Sequence, residues 1–151
     1  MTICLLIIPT AYGPVIYKSE EQGKDFLKVL DEIVPRGGGD CKELAFTGIL
    51  EALNSGPQYG SPLFVLTDAS AKDDTGTNMK TAKIIAQSTG ITINFFVKLS
   101  GCGGDGVQSF RDLAAFTSGQ VFPLKSDQEL KNLTGFVQDS LDTTQIIAMS
   151  R

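Results

Sequence analysis

The chain has 151 residues, 42% of them hydrophobic and 20% charged, with 13 Lys and Arg against 17 Asp and Glu for a net charge of −4. That is the size and balance of one globular domain. Histidine is absent, which excludes imidazole-based nucleophile activation and the commonest zinc ligation within this chain, and three cysteines are too few for a four-thiolate site. Basic residues are scattered and the sequence pI is about 4.7, so nucleic acid is not an expected partner.

The first ten residues, Met1 to Thr10, lack a basic leader and a small-residue cleavage site, and no apolar run approaches the roughly 20 residues that span a bilayer. Membrane insertion is therefore not expected. Ile3 to Ile8 is instead a continuous apolar run stopped by Pro9, as in a strand buried on both faces. A short turn through Gly13-Pro14 leads to a second strand, Val15 to Lys18, and so short a link favours an antiparallel hairpin. Phe26, Leu27, Leu30 and Ile33 then recur at helical spacing until Pro35 and Gly37-Gly38-Gly39 end the pattern.

Asp40 and Glu43 have capping-box spacing, so a helix is expected to start at Asp40, with Leu44, Ala45, Gly48, Ile49, Ala52 and Leu53 as its apolar face. Leu63 to Leu66 reads as a fully buried strand ending in Thr67-Asp68. A helix from about Thr77 to Ser88, ended by Gly90, follows with Met79, Ala82, Ile85 and Ala86 inward. Ile91 to Val97 makes another strand, Val107 to Thr117 a helix with Phe110, Leu113 and Ala114 inward, and Gly119 to Leu124 a short last strand. A second capping box, Ser126 to Glu129, opens a helix with the stripe Leu130, Leu133, Val137 and Leu141.

Strands alternating with helices specify an α/β domain with a doubly wound, mostly parallel sheet flanked by helices, over residues 1–142, followed at 143–151 by a tail or the start of a following segment. Ligands in that architecture bind at loops leaving the carboxyl ends of strands, here Gly37–Asp40, Asp68–Thr75 and Ser100–Gly106.

Those loops carry the candidate chemistry. Asp68 and Ser70, with Asp73-Asp74 behind them, place carboxylates and hydroxyls where a hard cation such as Mg²⁺ takes oxygen ligands; equally, Asp68 and Ser70 can serve only their own turn's backbone N–H groups. Asp40 reads as a helix cap, a role compatible with a second one at the same crevice. Gly101 to Gly106 follows a strand and precedes a helix, the context of phosphate-cradling loops, and partly resembles the Gly-Gly-Asp-Gly loop of lipid and NAD kinases, although Val107 stands where those families usually have Thr. A phosphate- or nucleotide-handling enzyme is thus the alternative reading; a plain rim loop is the other.

Cys41 and Cys102 flank two loops expected on one rim, so either a disulfide or two free thiols fits them, while Cys4 behaves as a buried hydrophobe. Asn132-Leu-Thr134 is a glycosylation sequon inside the expected last helix.

The run Pro35-Arg-Gly-Gly-Gly-Asp-Cys-Lys-Glu43, then Leu63-Phe-Val-Leu-Thr-Asp-Ala-Ser-Ala-Lys-Asp73, then Asp112-Leu-Ala-Ala-Phe-Thr-Ser-Gly-Gln-Val-Phe122 resembles von Willebrand factor A (vWA) domains of the hemicentin-like group, from about Ile3 to Leu141. The resemblance implies a doubly wound domain with a metal-ion-dependent adhesion site at the carboxyl end of its sheet. It also implies an extracellular matrix or secreted protein that works by binding proteins rather than by turnover. Asp68 matches the third metal-site loop, and Asp40 lies in the second, where many vWA domains carry Thr. The family's first loop, Asp-x-Ser-x-Ser, has no counterpart before Ile3. That departure implies a domain incomplete at its N-terminus, a sheet without its central strand, and weak or absent Mg²⁺ binding. Three arrangements would accommodate the missing strand: a fragment, direct pairing of the two half-sheets, or a strand donated by a partner.

Overall fold

The computed structural model describes residues 3–7, 16–20, 41–98, 107–126 and 128–129, the first two segments as backbone alone. The expected helix around Phe26 to Ile33, Asp40, the Gly101–Gly106 loop, Cys102, Asn132, the Leu130–Leu141 stripe and the 143–151 tail lie outside the described residues.

Strand β1 (Ile3–Ile7) pairs antiparallel with β2 (Ile16–Glu20), Ile3 opposite Glu20 and Ile7 opposite Ile16. The hairpin is as expected, with its second strand running two residues past Lys18. After the two-residue strand β3 (Lys42–Glu43) comes helix α1 (Ala45–Asn54), then β4 (Pro62–Thr67), the two-residue β5 (Ser70–Ala71), α2 (Gly76–Thr89), β6 (Thr92–Lys98), α3 (Gln108–Phe116) and β7 (Val121–Leu124). Beyond β7, Ser126 and Glu129 form the expected cap. The Glu129 N–H donates to the Ser126 hydroxyl at 3.2 Å, and the Glu129 carboxylate accepts from the Lys125 N–H.

β4, β6 and β7 form a parallel sheet in that order. Each crossover steps the same way across the sheet, so right-handed connection sends α2 and α3 to one face. Alternation along β6 then fixes the core: Ile93, Phe95 and Val97 point to that face and are fully buried. Phe95 stacks on Phe110 of α3 at 4.8 Å, and Phe110 on Phe46 of α1 at 6.4 Å. Ala82 and Ala86, also buried, let α2 approach closely, and Ile49, Leu53 and Leu113 complete the cluster. Each large side chain buried there contributes roughly 1.5–3 kcal/mol. On the opposite face Phe96 lies between Phe64 and Phe122, at 6.0 and 4.8 Å. A parallel sheet carrying three helices is the α/β architecture expected, as part of a doubly wound fold.

Two expectations are corrected. The helix does not start at Asp40: Lys42 and Glu43 are extended and pair with Ser70 and Ala71, and the first helical turn begins at Ala45 with Leu44 as a cap residue that offers no side-chain bond. Glu43, committed to a ladder, cannot close a capping box. Nor is Leu63 to Leu66 a fully buried strand: Leu63, Phe64 and Val65 are half-buried and Leu66 is 54% exposed. Of the three arrangements left open for the sheet, direct pairing of the half-sheets is not seen among the described residues, where β1 pairs with β2 alone and β4 with β6 alone. Helix α1 nevertheless packs against β1. No described helix is long and apolar enough to cross a membrane.

Candidate docking rim

The rim is built where β4 ends. The Thr67 hydroxyl donates to the Ala69 carbonyl at 3.0 Å and accepts from the Ala69 N–H at 3.2 Å, folding the chain tightly around Asp68. Asp68, between them, is exposed. Two residues on, Ser70 is buried at 3% exposure, held in β5 beside Lys42 of β3. The β3–β5 pairing is parallel, and the Lys72 N–H extends it by donating to the Glu43 carbonyl at 2.9 Å. Cys41 and Ala69, the residues before each strand, therefore stand at the same end of the pair. The rim thus brings together the Cys41 turn and the Asp68 turn.

Asp73 has a different task from the cation ligation its sequence position allowed. It is 9% exposed, and its carboxylate accepts the Phe46 N–H on Oδ1 at 3.0 Å, the Thr47 N–H on Oδ2 at 2.7 Å and the Thr47 hydroxyl on Oδ2 at 2.7 Å. This is the N-terminal cap of α1, delivered from 26 residues downstream of Thr47. Negative charge is favoured there by the helix dipole, and the three bonds offset the cost of burying the carboxylate. The Asn78 side-chain amide donates to the Asp73 carbonyl at 2.8 Å, and Thr75 caps α2 by accepting the Asn78 N–H at 3.2 Å. The sequence carried no local signal for this arrangement, since capping patterns are sought within three or four residues of a helix start.

A hard cation takes about six oxygen ligands. Of the described candidates, Asp68 offers an exposed carboxylate, Ser70 is enclosed, and both Asp73 oxygens are engaged by α1. Among the described residues no three Asp, Glu or Cys side chains converge on one point. The described donors do not by themselves fit a Mg²⁺ site.

A family model described as von Willebrand factor A domain matches residues 9–126. Hemicentin-1 of mouse and of human are each 29% identical to this chain over 141 residues, covering 91% of it. Mouse hemicentin-2 is 27% identical over 128 residues, covering 83%. The chain spans about 2% of the length of each of these relatives. With the parallel sheet, its helices and the acidic turn at the end of β4 in place, and a family match over most of its length, the chain belongs to the von Willebrand factor A domain family.

Proposed function

We propose that this chain is a non-enzymatic docking module of an extracellular matrix or secreted protein, binding a protein ligand at the rim formed by the Cys41–Glu43 and Asp68–Ser70 turns. The observation that carries this reading is the parallel β3–β5 ladder, which joins two turns distant in sequence into one surface with Asp68 exposed on it. The family and the hemicentin relatives support it. We propose weak or absent binding of Mg²⁺ or another divalent cation, a reading supported by the commitment of both Asp73 carboxylate oxygens to α1 and the enclosure of Ser70.

Cys41 is exposed and disulfide-bonded. We assign its partner as Cys102, which would tie two rim loops together in an oxidising compartment. Mass spectrometry with and without reductant checks the pairing, and a Cys41–Cys4 peptide would reject it. Asn132 is the proposed glycan acceptor.

Solid-phase binding of the purified chain to decellularised matrix tests the function. Saturable binding with no ATP or NAD turnover is expected; turnover, or the absence of saturable binding, would reject the docking reading.

A further inference from the structure

We infer that Asp73 is the positioning residue of the docking rim: it touches no ligand, yet it sets how the Asp68–Ser70 turn stands against the Cys41–Glu43 turn. This rests on the docking reading above and specifies what holds that site in shape.

Four links stitch residues 42–47 to residues 70–73. Lys42 pairs with Ser70 and Glu43 with Ala71; the Lys72 N–H reaches the Glu43 carbonyl; and the Asp73 carboxylate closes the seam on Phe46 and Thr47. The ladder alone is two residues long on each side, too short to hold by itself. Its shallow end is the rim and its deep end is Asp73. Asp73 is in turn fixed from the other side, through its own carbonyl, by Asn78 in the first turn of α2.

An adjacent cap residue would satisfy the α1 N–H groups equally well, and Leu44 occupies that position without supplying one. A carboxylate arriving from the rim strand's own continuation caps the helix and also fastens the two turns. With the carboxylate gone, the seam loses its deep anchor and the turns move independently.

Capping and fastening are separable. Asp73→Asn puts an amide where carboxylate oxygens accept two N–H groups and a hydroxyl. Adding Leu44→Ser to it restores a local cap for α1 without the tether. Amide exchange of the whole chain is followed at Phe46 and Thr47 for the helix, at Lys72 for the seam and at Phe95 in the core for global opening. In Asp73→Asn all of the first three amides are expected to exchange about tenfold faster relative to Phe95. In the double variant Phe46 and Thr47 recover and Lys72 does not.

An unchanged Lys72 in the single variant, or its recovery with the helix in the double, would overturn the inference. If Asp73→Asn does not fold, Thr47→Val, which removes only the hydroxyl bond, is expected to raise Lys72 exchange to a smaller extent; no change there overturns it equally. Affinity for decellularised matrix is the second readout. Both Asp73→Asn variants should lose it alike, whereas restoration by Leu44→Ser would reduce Asp73 to a cap. Wild-type protein that fails to bind matrix refutes the docking reading, while exchange at Lys72 still decides the role of Asp73.

Discussion

Asp73 holds Thr47 twice through a single oxygen: Oδ2 accepts both the Thr47 N–H and its hydroxyl, each at 2.7 Å. Because Asp73 is nearly enclosed, its removal strands the Phe46 and Thr47 N–H groups. Asp73→Ala is therefore expected to lower the unfolding free energy by about 2–4 kcal/mol, and Thr47→Val by about 1 kcal/mol, in urea titrations. Equal and negligible effects of the two would contradict the capping geometry.

The turn after α3 contains two neighbours with opposite expectations. Gly119 lies against β6 so closely that a Cβ would sit 2.0 Å from the Ile93 carbonyl oxygen. The Thr117 hydroxyl accepts the Ile93 N–H at 3.0 Å and pins the turn in place. Gly119→Ala is expected to cost about 2–4 kcal/mol, since backbone rather than a flexible side chain must give way. Ser118 has φ 60°, a left-handed conformation that glycine adopts freely, so Ser118→Gly should stabilise by roughly 0.5–1 kcal/mol. Thermal melts of the two single variants, shifting in opposite directions, check both.

Ser109, in the first turn of α3, has a buried hydroxyl oxygen with no hydrogen-bond partner among the described residues. Deleting an unsatisfied group removes its desolvation penalty, so Ser109→Ala should leave stability unchanged or raise it by up to about 1 kcal/mol. A loss of stability in the same urea titration would show that the hydroxyl has a partner.

How far these features can be read in the sequence depends on how local their causes are. The inner face of α1 was legible from Ala45, Ile49, Ala52 and Leu53, all buried, because helical spacing is a property of ten consecutive residues. α2 and α3 were legible for the same reason, and β4 and β6 from their apolar runs, to within a residue or two at their ends, although β4 is not the fully buried strand its run suggests. The start of α1 was not, because its cap is Asp73, and no pattern around Asp40 can reveal a partner that far away. β3 and β5 escaped because two residues carry no periodicity. Asp68 was found as an acidic residue at a strand's end, while the Thr67 hydroxyl that shapes its turn went unnoticed among ordinary turn residues. Asp73, read as a possible ligand, shows that composition at a rim does not say which carboxylates face outward.

Among the described residues β4 is an edge strand. It contains no charged residue, and Leu66 is 54% exposed on it. Natural edge strands are blunted by charge, so Leu66→Lys is expected to reduce concentration-dependent association while changing stability by no more than about 0.5 kcal/mol. Light scattering across a concentration series, combined with a thermal melt, reads both. A large loss of stability would mean that Leu66 is packed.

The central claim is that one end of the sheet does the binding. It is tested most directly by the affinity of three proteins for decellularised matrix: wild type, Asp68→Ala at the rim, and Tyr59→Ser, whose 78% exposed side chain precedes β4 at the sheet's other end. The expected result is a loss of about tenfold for Asp68→Ala, as for one charged contact of roughly 1.4 kcal/mol, with Tyr59→Ser indistinguishable from wild type. An affinity untouched by Asp68→Ala but lowered by Tyr59→Ser would place the binding surface elsewhere and contradict the account.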